Sequence, residues 1–255
     1  LKARPYILAE NTWKTVQNTP YDVAVLPWGA TEAHGLHLPY ATDNIQGDYI
    51  AAEAARIAWE KGSKPVVLPA VPFGVNTGQL DIRLDLNMMP STQMALLNDL
   101  IDVMNRQDIR RFVIINGHGG NDFRQMLREL QVRFPRVFLC TINWWQVKGG
   151  AEWFGQHTDH AARMETSCMT ALVPDLVRLE DAGTGRERHF TLKGLRERWA
   201  WAQREWSRAS VDTGMGTALP ADPEKGKQFL DAIAAEIGNF LYELAITPPD
   251  ARYEK

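Results

Sequence analysis

Cysteine is scarce in this 255-residue chain: Cys140 and Cys168 are the only two, and they stand far apart. A disulfide scaffold is excluded at that count. No run approaches the roughly 18 apolar residues of a transmembrane helix, and Leu1–Glu10 has no apolar signal-peptide core. Neither charge sign prevails, since 28 Lys and Arg face 31 Asp and Glu for a net charge of −3. That balance gives no general attraction to nucleic acid or to an anionic membrane. Internal repeats and low-complexity tracts are missing as well. What remains is a chain long enough to bury a sizeable core without staples. It is expected to fold as a single domain over residues 1–255 and to work in the cytoplasm.

Short β-branched runs alternate with longer helical patterns. Strands are predicted at Asp22–Trp28, Lys64–Val71, Arg111–Asn116 and Arg136–Ile142, and helices at Asp43–Lys61, Ser91–Gln107 and Asn121–Arg133. Such alternation implies an α/β fold with a mostly parallel central sheet flanked by helices. The second half reads as helical over His160–Leu172 and Leu195–Arg208. A last helix opens at Asp222-Pro223-Glu224, with Asp as N-cap and Pro at the first helical position, and runs to Leu244.

Five of the six histidines fall in three short segments. Glu32-Ala33-His34-Gly35-Leu36-His37 is followed by Thr42-Asp43; the others are Asn116-Gly117-His118-Gly119-Gly120-Asn121 and His157-Thr158-Asp159-His160, ahead of Glu165. Two of these follow predicted strands, whose carboxyl ends converge on one sheet edge where ligands bind. Glu165 carries the sharpest argument. On a helix from His160 its neighbours are Ala161, Ala162, Cys168 and Met169, so its carboxylate belongs to the face that should be buried. A buried carboxylate needs a proton, a cationic side chain or a metal. An arginine partner is the structural alternative to a metal.

The other candidates keep two readings each. Asp43 has capping-box spacing with Gln46, and Glu32 and His34 sit between glycines that favour a loop. His118 sits in a tight glycine turn, while His37 either orients a ligand or belongs to the loop. As a set, Glu32, His34, Asp43, His118 and Glu165 offer only nitrogen and oxygen, which suits zinc or manganese. They also exceed what one tetrahedral ion requires, and a carboxylate-bridged pair of ions accounts for the surplus.

The segments Glu32–Pro39 with Thr42-Asp43, Asn116–Asn121, and His160 with Glu165-Thr166-Ser167 together resemble the signature blocks of the creatininase (creatinine amidohydrolase) family. Gly214-Met215-Gly216 through Asp222–Gly226 is similar to its C-terminal block. The resemblance spans roughly residues 23–244. It implies a three-layer creatininase-like fold, a homo-oligomer (usually a hexamer) and two divalent ions per subunit, zinc or manganese. By the resemblance Glu32 and His118 hold one ion, His34 and Glu165 the other, and Asp43 bridges them. His160 is the proton-transfer residue, with Gly119, Gly120 and Gln156 near the substrate. The implied reaction is hydrolysis of an amide C–N bond in a small cyclic polar compound by a hydroxide held between the ions. Ring opening of a cyclic keto-polyol and a non-catalytic maturation or binding role are the alternatives the family leaves open.

Of three departures from the family pattern, the first bears on the ligand set, where Glu165 takes the vacated role, and the other two bear on the substrate. Gly120 stands where creatininase has a liganding Glu, and Gln156 where it has Trp. The family's middle block is replaced by Asn76–Arg83, whose Asn76, Gln79, Asp81 and Arg83 suit either a hydroxylated ligand or a solvated loop. Residues 196–208 hold Trp199, Trp201 and Trp206 among arginines. They read either as an amphipathic helix packed on its own core or as a subunit contact or lid.

Overall fold

The computed structural model describes residues 2–155 and 160–254. In chain order its main elements are α1 (Trp13–Gln17), β1 (Val23–Trp28), α2 (Thr42–Glu60), β2 (Pro65–Val67), α3 (Pro90–Arg106), β3 (Arg111–Asn116), α4 (Arg124–Arg133) and β4 (Phe138–Asn143). They continue with α5 (Gly150–Phe154), α6 (Arg163–Leu172), α7 (Lys193–Arg196), α8 (Trp206–Ala209) and α9 (Pro223–Ile246). The strands form one all-parallel sheet in the order β2-β1-β3-β4.

Alternation along the buried strands sorts side chains onto the two sheet faces. Val23, Val25, Val113 and Ile115 point into a core shared with α2 and α9, where Ile50, Phe229, Ile233 and Ile237 meet them. Ala24, Leu26, Phe112 and Ile114 face α3 and α4 through Leu97, Ile101, Leu127 and Leu130. This is the predicted layered α/β architecture. Close approach of the helices depends on small residues. A Cβ on Gly226, in the first turn of α9, would stand 2.3 Å from the Ser167 carbonyl oxygen of α6. Gly226→Ala must therefore push α9 off α6, and it is expected to cost about 1–3 kcal/mol of stability in a denaturant titration.

Three expectations need correction. β2 ends at Val67 rather than Val71, because Pro69 has no N–H to donate; pairing resumes only as a bridge between Trp28 and Val71. α6 begins at Arg163, not His160. Ala161 lies in the left-handed region at φ 53°, and the backbone of 160–163 is tied to 215–217 by Met215 N–H to His160 O and Arg163 N–H to Thr217 O. The predicted helix Leu195–Arg208 is instead two single turns, α7 and α8, with Arg198 left-handed between them. Trp199 and Trp201 are exposed and only Trp206 is buried, so no tryptophan stripe packs on a core. The Asp222 cap is present and accepts the Lys225 N–H at 3.0 Å.

Candidate metal centre

Trp28 and Asn116 are register partners at the carboxyl ends of β1 and β3. The loops that follow them therefore leave the sheet side by side. One carries Glu32 and His34 and the other His118, while Asp43 opens α2 between them. Gly117 permits this approach, since a Cβ there would lie 2.9 Å from the Asp43 carbonyl oxygen. Asp43 does not cap α2. Its Oδ1 lies 3.0 Å from His34 Nε2 and its Oδ2 lies 3.1 Å from His118 Nδ1. Glu32 Oε1 is 2.9 Å from His118 Nδ1.

All five expected ligands are buried. Their donor atoms fall into the groups Glu32, Asp43, His118 and His34, Asp43, Glu165, each within 4.8 Å, and Asp43 is common to both. A third group joins Glu32, His34 and His160. Glu165 sits in the first turn of α6, where its Oε2 accepts the Ala161 N–H at 2.6 Å. Its strongest charged neighbours are His34 and Asp43, and it shares a candidate ligand group with both. Glu165 is buried as its apolar neighbours predict, although its helix begins at Arg163 rather than His160.

Backbone carbonyls set the histidine tautomers, because a carbonyl can only accept. His118 Nε2–H donates to Val75 O at 3.1 Å and His34 Nδ1–H to Glu32 O at 3.2 Å. The remaining nitrogen of each ring faces the carboxylates. That is how imidazoles are held for metal coordination, so the donor set fits a divalent ion. His160 Nε2–H donates to Ala33 O at 2.8 Å, which turns Nδ1 toward Glu32 Oε1 at 3.7 Å.

Charge compensates within the cluster. Burial opposes ionisation of Glu32 and Asp43, but the neighbouring imidazoles prevail and hold both carboxyls below the usual range. Burial likewise opposes charge on His34 and His118. Asp43 and Glu32 overcome it, raising His34 to about 10 and His118 well above its ordinary value. Burial pushes Glu165 up to about 7 and pushes His160 down, the latter helped by His34.

His37 lies outside the cluster, with its Nε2 2.8 Å from Thr166 Oγ1 beside Glu165. Gly120 admits no side chain as the loop stands, since its Cβ would meet Val75 O at 2.3 Å and His118 Nε2 at 2.4 Å. Gly119 is open, and both glycines line a cavity of about 1150 Å³ that contains Glu32, Asp43, His118, His160 and Glu165. Trp201 and Trp206 line the same cavity, and so does Trp145. The 196–208 segment thus stands beside the site. Gln156 and His157 fall outside the described residues.

The stretch Asn76–Arg83 divides: Asp81 and Arg83 are exposed, but Asn76 and Gln79 are buried. Gln79 Nε2 donates to Glu32 Oε2 at 2.6 Å. Asp85, unmarked by any motif, accepts the Ala33 N–H at 2.7 Å, and burial raises its carboxyl to about 6. Polar composition alone does not separate these buried residues from their solvated neighbours.

A parallel α/β sheet with buried His and carboxylate groups at its carboxyl edge defines an α/β protein with candidate metal-binding groups where ligands of such sheets bind. The creatininase family model, described as creatinine amidohydrolase, matches residues 9–241, and the chain belongs to this family of hydrolases. It is 27% identical to the creatinine amidohydrolase of Pseudomonas putida over 202 residues, 70% of this chain and 76% of the relative. A Bacteroides fragilis NCTC 9343 structure, provisionally named a creatinine amidohydrolase, superposes with a TM-score of 0.92 at 36% identity, covering 99% of this chain and 100% of its own. A creatininase mutant in a Zn-Zn form shares the fold at a TM-score of 0.78 and 21% identity, covering 96% and 100%.

Proposed function

We propose that this chain is a single-domain, dinuclear divalent-metal hydrolase that opens an amide C–N bond in a small, cyclic, polar compound. The observation that carries the reading is the Asp43 carboxylate, with one oxygen toward each of two imidazoles and membership of two candidate ligand groups. Glu32 and His118 would hold one ion, His34 and Glu165 the other, with Asp43 between. Zinc and manganese both suit these donors, and solved creatininases include a Zn-Zn form and a Mn form. When bound, such a pair supplies polarisation of a carbonyl oxygen and activation of water.

The protein's own groups supply the rest. Burial chiefly lowers the His160 pKa and so favours the uncharged ring, whose Nδ1 faces the cluster while Nε2–H is committed to Ala33 O. It is placed to move a proton between water and the leaving nitrogen through Nδ1. Gly119 and Gly120 would let the backbone come close to the substrate. A creatininase structure complexed with creatine supports a small-molecule ligand. No helix among the described residues is long and apolar enough to cross a membrane. A cytoplasmic homo-oligomer completes the reading; exposed apolar side chains such as Leu80 and Leu84 offer surface for it.

The test is metal-dependent ring opening across a panel of small cyclic amides. In His160→Ala turnover is expected to fall about 10²–10⁴-fold with metal content unchanged. Unchanged turnover removes His160 from the reaction. Activity confined to cyclic ketones replaces the amide with a carbon–carbon bond.

A further inference from the structure

The two oxygens of Glu32 do different jobs. Oε1 faces the imidazoles, at 2.9 Å from His118 Nδ1, 3.7 Å from His160 Nδ1 and 3.9 Å from His34 Nε2. Oε2 accepts the Gln79 amide N–H at 2.6 Å. We infer that Gln79 is a positioning residue, fixing the Glu32 carboxylate so that Oε1 stays directed at the ion shared with His118. The inference rests on the metal-hydrolase reading above.

The chemistry of the donor supports this role. An arginine at the same place would take both carboxylate oxygens and cancel the charge that a cation needs. A neutral amide fills one oxygen and leaves the negative charge intact. The amide has one usable orientation, because the flipped form would set its oxygen against Glu32 Oε2. Gln79 itself is buried and held in a tight turn, with its N–H to Asn76 O at 2.9 Å and its own carbonyl accepting Ile82 N–H at 2.9 Å. Asn76 is anchored in turn through its Nδ2 to Leu86 O at 3.0 Å.

The brace continues into the tryptophan-rich segment. Trp206 N–H donates to Gly78 O at 2.9 Å, and a Cβ on Gly78 would strike Arg204 O at 2.3 Å. The Trp206 ring meets His160 edge-on at 5.1 Å. One segment therefore supports both the turn that carries Gln79 and the proton-transfer histidine.

The experiment titrates the metal-free full chain with Mn²⁺ alone, and with Zn²⁺ against a chromophoric chelator. Wild type is expected to take two ions. Gln79→Met keeps the length and removes the donor, and should weaken one ion roughly 10–100-fold while the other changes little. Gln79→Asn withdraws the amide by one methylene and should weaken the same ion, which covers a failure of the first variant to fold. In a Glu32→Gln background Gln79→Met should add nothing, because its effect passes through Glu32. Unchanged affinities with only a lower melting temperature, or additive losses in the double variant, overturn the inference while leaving the metal reading standing. Fewer than one ion on wild type overturns both.

Discussion

Asp43→Asn is expected to lose both ions and to reduce turnover by at least about 10³-fold. Each carboxylate oxygen serves a different imidazole, at 3.0 Å and 3.1 Å. An asparagine keeps the volume but turns one of those acceptors into an NH₂ donor, which would face an imidazole nitrogen or a cation. No other side chain belongs to both groups Glu32, Asp43, His118 and His34, Asp43, Glu165. The loss should therefore reach both sites, unlike Gln79→Met. Elemental analysis beside turnover checks it. A variant that retains two ions and activity within tenfold of wild type would remove Asp43 from the bridging position.

Stability should respond to pH in opposite directions with and without metal. In the metal-free chain Asp43 and Glu32 raise the His34 and His118 pKa values against the cost of burial, His34 from 6.5 to about 10. Protonation that the fold favours stabilises fully below the ordinary value of 6.5 and is lost as pH climbs toward 10. Glu165, raised by burial from 4.5 to about 7, acts with the same sign. Glu32 and Asp43 act oppositely. Despite burial their pKa values are lowered by the histidines, so their contribution is present above about pH 4 and lost in acid. The metal-free protein should thus be most stable in mildly acidic solution and weaken steadily toward pH 9.

Divalent ions reverse the alkaline limb, because they take the places of the protons on His34 and His118 and bind more tightly as those protons leave. Melting curves with chelator and with Zn²⁺, recorded from pH 6 to 9, should diverge. At this chain length 1 kcal/mol is roughly 2–4 °C, so a separation of several degrees is the expected scale. Calorimetry in buffers of different ionisation enthalpy should show protons released on metal binding. Parallel melting curves and no proton release would mean that the cluster is an internal ion-pair network rather than a metal centre.

Much of the molecule was legible before any coordinates. Alternating strand and helix patterns foretold the parallel sheet and its flanking helices, and the Asp222-Pro223 start of α9 was read from cap chemistry alone. The apolar neighbourhood of Glu165 foretold a buried carboxylate, although α6 begins three residues later than its periodicity indicated. Periodicity failed at residues 195–208. A spacing compatible with a helix says nothing about whether a core exists for its tryptophans, and only Trp206 has one.

By itself the sequence determined which segments could be strands or helices and which residue types could hold a cation, because burial period, caps and side-chain chemistry are local properties. Only the tertiary structure decided that Trp28 and Asn116 end side by side, that Asp43 stands between two imidazoles, and that Gln79 reaches Glu32. Those contacts join residues far apart in the chain. They exist because strand register and loop packing bring the ends together, and no local pattern records that distance.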